Sequence, residues 1–222
     1  MTTDEMQTLA APGFMELRFA LAAPKPQFNP RELLDAAQKS TIHTFGWPIG
    51  IVLQPDEYRP RPTADGIIAE LSVPHQSYDI WAMRGDGDYY LLKSLFEDRR
   101  TPESIFFDTR ILRVTEALLF CARLYSNLGV EPTKEVHVAV RHGGLAGRHL
   151  RAATPRMLSL DRTTIEHEIE SMQVVLLGDI ETKLVSMVKG FLAPLFRVFD
   201  FFEVGDPTYE QLVNDFVAGR IG

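Results

Sequence analysis

Tyr78-Asp79-Ile80-Trp81-Ala82-Met83-Arg84, then Gly85-Asp86-Gly87, then Asp88-Tyr89-Tyr90-Leu91-Leu92-Lys93: two runs of aromatic and aliphatic residues flank an Asp-Gly turn. Glycine at a turn centre supplies the positive backbone dihedrals that tight hairpins demand, so this stretch predicts an antiparallel pair. Met15 to Leu21 adds a strand, because it alternates apolar and polar residues with period two and thus has one face for a core and one for water. Gly66 to Leu71 and Val136 to Val140 read as strands. So does Ile49 to Leu53, and Thr164 to Leu177 reads as one long strand, with a helix as rival.

The helical pattern is concentrated elsewhere. Ile111, Val114, Leu118, Cys121 and Tyr125 recur at three- and four-residue steps from Asp108 on, with Gly129 placed as the stop. Arg31 to Lys39 predicts a short helix with Asn29 as N-cap and Pro30 at its first position. Asp179 is placed to cap a helix running through Leu192 and kinked or ended by Pro194, and Thr208 to Gly219 predicts a last amphipathic helix. Strands on both sides of a long central helix predict an α+β fold: a mostly antiparallel sheet, that helix, and two C-terminal helices. Residues 1–13 read as a flexible tail and 14–222 as a single α+β domain, since no linker or repeat divides the chain.

At 222 residues, with 45% apolar and 24% charged residues, the chain has the composition of an ordinary globular protein. A core of this length buries about 70% of the unfolded surface. The net charge of −7 excludes a generally basic, phosphate-tracking surface. Cys121, in the run Ala117 to Ala122, reads as a small buried hydrophobe. No basic leader and no uninterrupted apolar span occurs, since Lys189, Pro194, Arg197 and Asp200 interrupt Leu184 to Phe202; the expectation is a cytoplasmic protein that does not enter a membrane.

The sharpest candidate for chemistry is Arg141-His142-Gly143-Gly144, at the end of a predicted strand. A strand ending in Arg-His-Gly resembles the way histidine phosphatases present a nucleophilic imidazole beside an arginine fork, so a phosphoester-processing enzyme using Arg141 and His142 is the alternative function. The competing reading is that Gly143, Gly144 and Gly147 shape a turn after the strand. Arg141, Arg148, Arg151 and Arg156 carry four positive charges with no acid between 141 and 156. Arginine forks on a flexible backbone suit an anionic small molecule or an acidic protein segment, and the competing expectation is neutralisation by Glu166, Glu168 and Glu170. No His-Glu-x-x-His, His-x-His, Gly-x-Ser-x-Gly or phosphate-loop pattern occurs, so no metal, cofactor or catalytic set is assigned. Phe45 to Gly50, with Trp47, could line a pocket, and Phe191, Phe196, Phe199 and Phe202 suggest a self-association face.

Three strings carry a family resemblance: Ile42-His43-Thr44-Phe45-Gly46-Trp47-Pro48-Ile49-Gly50, Arg61-Pro62-Thr63-Ala64-Asp65-Gly66-Ile67, and Leu92-Lys93-Ser94-Leu95-Phe96-Glu97-Asp98. Residues 40 to 215 resemble a poorly characterised bacterial segment that often follows an Alba/Schlafen-type DNA-binding domain, itself absent here. The resemblance implies a prokaryotic cytoplasmic origin and a regulatory or defence-like setting, and it transfers no catalytic residue. The resulting expectation is a non-enzymatic regulatory or interaction module, self-associating, with an anionic ligand or partner at the Arg141–Arg156 loop; a nucleic-acid-associated regulator is a further alternative.

Overall fold

The computed structural model describes residues 13–42, 46–54, 58–73, 77–153 and 161–221. The hairpin that anchors the reading is present: β4 (Ser77–Arg84) pairs antiparallel with β5 (Tyr89–Ser94), Trp81 facing Leu91. Around it are β1 (Phe14–Leu21), α1 (Pro30–Ser40), β2 (Arg61–Pro62) and β3 (Gly66–Val73). Then follow β6 (Ser104–Phe106), α2 (Phe107–Asn127), β7 (Glu135–Gly143), β8 (His149–Arg151), β9 (Glu168–Leu176), α3 (Leu184–Arg197) and α4 (Asp206–Val217). Seven strands form one sheet in the order β2-β3-β4-β5-β1-β7-β9, antiparallel throughout, and β6 pairs in parallel with β8 as a small second sheet. The chain is therefore an α+β protein with a mostly antiparallel sheet.

Period-two alternation decides which face is covered. Met15, Leu17, Phe19 and Leu21 of β1 and Val136, Val138 and Val140 of β7 are buried against α2, whose Phe120 meets Tyr89 at 5.2 Å between ring centres. The helices α1, α3 and α4 pack around α2, and α1 and α3 also touch β3 and β9. No described helix lies on the opposite face. Asn29 caps α1 as a capping box with Glu32, so two otherwise orphaned amide donors are satisfied reciprocally. Gly129, at φ +71°, follows the end of α2 in a left-handed conformation that suits glycine.

Four expectations need correction. Ile49 to Leu53 is not a strand: the Ile49 N–H donates to Glu116 at 2.7 Å and Trp81 Nε1 donates to the Ile51 carbonyl at 2.9 Å, so side chains replace a ladder. Thr164 to His167 lies outside β9. Asp179 does not cap α3, which begins at Leu184; its carboxylate pairs with Lys183 instead. Pro194 does not end α3: the helix runs on to Arg197 and buries Leu195 and Phe196 beyond it. The predicted tail, residues 1–13, lies outside the described residues except for Gly13, which is held by its N–H to Asp98 (3.0 Å) and by Leu95 N–H to its carbonyl (3.1 Å). No helix among the described residues is long and apolar enough to cross a membrane.

Candidate functional site

Strand geometry separates the two residues that the sequence joins most tightly. Successive side chains of a strand point to opposite faces. On β7, His142 follows Val138 and Val140 under the helices, whereas Arg141 lies on the helix-free face. There Arg141 Nε donates to Glu16 at 3.1 Å, its Nη1 reaches Glu168 at 3.3 Å, and its guanidinium stands 5.3 Å over the Phe14 ring. Arg18 bridges Glu16 and Glu170 beside it. Three acids and two arginines thus alternate across three neighbouring strands.

His142 is only 2% exposed, and no hydrogen bond reaches its Nε2. Burial, with the nearby Arg110 charge, holds its pKa well below the usual histidine value, so the imidazole is neutral. An imidazole attacking phosphorus needs an open path and an arginine on the same side. Here the two residues of the motif address different faces of one sheet.

The stretch from Arg141 to Arg151 is not a loop but strand, turn and strand. Gly143 lies where a Cβ would overlap the Phe14 ring at 2.2 Å, and Gly144 at φ +66° turns the chain out of β7. Arg148, 3% exposed, faces inward: its Nη1 stands 2.6 Å from Asp98 Oδ1 and donates to the Ser104 carbonyl at 2.8 Å, and its Nε donates to the Gly144 carbonyl at 2.5 Å. Arg151 has a half-exposed side chain 3.9 Å from Asp161, which also accepts from His149 Nδ1 at 2.8 Å. Arg156 lies outside the described residues. Each described arginine of the basic run therefore has an acid of its own chain. Of the acids assigned to that task, Glu168 serves Arg141, and Glu170 serves Arg18.

A buried polar layer under the sheet has no counterpart in the sequence reading. The first half of α2 buries Asp108, Thr109, Arg110, Arg113 and Glu116, against Asp79 and Lys93 from the hairpin and Glu97 from the following turn. Arg110 pairs with Glu97 at 2.9 Å, Arg113 with Glu116 at 2.7 Å, and Lys93 with Asp79. Glu97 also accepts the Phe106 N–H at 2.9 Å, and Asp108 accepts the Ala153 N–H at 2.9 Å. Burial lowers the Lys93 pKa, with the Asp79 charge opposing that shift. Matched pairing makes such a layer tolerable, because a buried charge without its partner is far costlier than the pair.

Trp47 belongs to this layer through its backbone rather than its ring. Its carbonyl accepts from Lys93 Nζ at 2.6 Å and Arg113 Nη1 at 3.2 Å. With Ile49 and Ile51 tied as above, Gly46 to Ile51 forms a strap across the charges. Arg113 and Glu116, three apart, are neighbours on α2, but they lie on the side away from its apolar stripe, so their spacing does not mark them as buried.

The predicted association face is interior. Phe191, Phe196 and Phe199 are almost wholly buried, and half-buried Phe202 packs on Phe107 and Phe196 at 5.9 and 6.3 Å. Exposed large apolar side chains instead gather on the far edge of the sheet, where Met172, Val174 and Leu176 are 65%, 54% and 41% exposed on the helix-free side of β9, with Ile165 just before them. Among the described residues no three His, Cys, Asp or Glu side chains are grouped to hold a metal ion. No family model, curated protein or solved structure matches this chain, and its functional reading rests on geometry alone.

Proposed function

We propose that this protein is a non-enzymatic interaction module that self-associates, and that it acts by docking rather than by turning over a substrate. The observation that supports this reading is the placement of exposed apolar surface. Of the six large apolar side chains exposed among the described residues, four (Ile165, Met172, Val174 and Leu176) fall in or just before one edge strand. Contiguous apolar surface on a soluble domain marks an interaction site more often than single scattered residues do. Against the phosphoester alternative stands the division of Arg141 and His142 between two faces. An anionic ligand is poorly served by arginines that already hold Glu16, Glu168 and Asp98.

The test is the solution mass by sedimentation equilibrium, from low to tens of micromolar. The expected result is a concentration-dependent species at a multiple of the 25.1 kDa chain mass. A strict monomer over that range overturns the reading.

A further inference from the structure

Strand β9 ends the seven-stranded sheet, and its one described ladder is the antiparallel pairing with β7. The other edge is β2, two residues long, of which Pro62 has no N–H to offer. Edge strands carry unpaired backbone groups that template the addition of another chain, and soluble proteins protect such edges with lysine, proline or a bulge. Glu168-Ile169-Glu170-Ser171-Met172-Gln173-Val174-Val175-Leu176 contains neither lysine nor proline, and its register with β7 is unbroken over nine pairs.

We propose that a second copy of this chain adds to β9 antiparallel, centred on Val174, so that two sheets join across a two-fold axis. This rests on the self-associating reading above and specifies its surface. The charge pattern selects both the occupant and the register. With Val174 opposite Val174 of the second copy, Met172 faces Leu176 and Leu176 faces Met172, so the three exposed apolar residues of each copy are matched. Glu168 and Glu170 then fall outside the apolar contact, each held by an arginine of its own chain, Arg141 and Arg18.

Other registers are worse. Centring on Met172 sets Glu170 against Val174, and centring on Glu170 sets like charges face to face, which is destabilising. Because those acids are already paired, a basic partner gains little at this edge. A two-fold contact also consumes both β9 edges and leaves, of the described seven-stranded sheets, only the proline-bearing β2 ends free, so the joined sheet closes as a dimer and does not grow into a fibre.

The experiment compares wild type with Val174→Lys, Val174→Cys and Glu168→Cys by sedimentation, and by non-reducing electrophoresis after mild copper-phenanthroline oxidation. Circular dichroism melting confirms that each variant is folded. Directly opposed residues in antiparallel strands have Cα atoms about 4.5–5.5 Å apart, within reach of a disulfide. Native Cys121 is buried and does not compete.

The expected results are that Val174→Lys weakens association by about a hundredfold or more, from two ammonium groups brought face to face, that Val174→Cys cross-links, and that Glu168→Cys does not. A monomeric wild type overturns both this proposal and the reading beneath it. A wild-type oligomer that survives Val174→Lys overturns the edge pairing and leaves self-association standing. Loss of the oligomer in Val174→Lys without cross-linking of Val174→Cys, or cross-linking of Glu168→Cys, overturns the register.

Discussion

Replacing Arg148 by alanine separates the two ways in which the basic run can be understood. In the folded chain this guanidinium pairs with Asp98 at 2.6 Å and supplies donors to the Ser104 and Gly144 carbonyls. Its removal leaves the carboxylate with the Gly13 N–H and strips a buried donor from two oxygens. Breaking a buried pair on one side costs about 3–5 kcal/mol, a large part of the roughly 5–15 kcal/mol that holds a typical domain together. Arg151, three residues on, has a half-exposed side chain 3.9 Å from its acid, and such a surface pair is worth about 0–1 kcal/mol.

The assay is equilibrium urea unfolding, read by tryptophan fluorescence from Trp47 and Trp81 and checked by circular dichroism. With a slope of about 2–3 kcal/mol per molar, Arg148→Ala lowers the midpoint by roughly 1–2 M and Arg151→Ala by less than about 0.5 M. Arg148→Lys falls between them, because it keeps the charge and loses the fork. If Arg148→Ala costs no more than Arg151→Ala, the inward placement of Arg148 is refuted.

Two further outcomes follow from buried groups. His142 stays neutral when folded but takes up a proton near pH 6.5 when unfolded, so the unfolded state binds more protons as pH falls below that value. Stability therefore declines with acidification by up to about 1.4 kcal/mol per pH unit from this group alone, and its full contribution is present above pH ~7.5. His142→Gln flattens that slope between pH ~6.5 and ~5, and identical slopes for the two proteins in urea titrations would contradict a buried neutral imidazole. Phe199→Ala opens a cavity in the core and costs about 3–5 kcal/mol, whereas Phe201→Ala, at a side chain that is exposed, changes stability by less than about 0.5 kcal/mol. Equal midpoints for the two phenylalanine variants would remove the interior assignment of Phe199.

The elements whose cause is local were readable from the sequence. The Asp86-Gly87 turn, the Asn29-Pro30 start of α1 and the alternation of Met15 to Leu21 each carry their own geometry, and the structure has all three where the residues place them. What failed was what depends on distant partners. Ile49 to Leu53 has strand-forming residues, yet Glu116 and Trp81, far along the chain, take its backbone groups.

The candidate site failed for the same reason. Charge counted along the sequence joined Arg141, His142 and Arg148, but strand parity and the turn at Gly144 send them to different surroundings. The acids that match Arg141 and Arg148 include Glu16 and Asp98, which precede them by 125 and 50 residues. The polar layer of α2 was hidden because a helix bearing arginine and glutamate reads as solvated until something covers it.

The place of β1 in the sheet has a consequence for synthesis. The first described strand stands between β5 and β7, with Phe14 opposite Ser94 on one side and Gly143 on the other. Emerging from a ribosome, it therefore waits until Tyr89–Ser94 are made before one flank is occupied, and the second flank closes only after α2 has formed. Non-local pairing of this kind slows folding and leaves an apolar strand without neighbours for longer than a nested hairpin would be. Nascent chains cut before residue 135 retain β1 with one bare edge, which makes the middle of this gene the interval in which a holding chaperone has most to do.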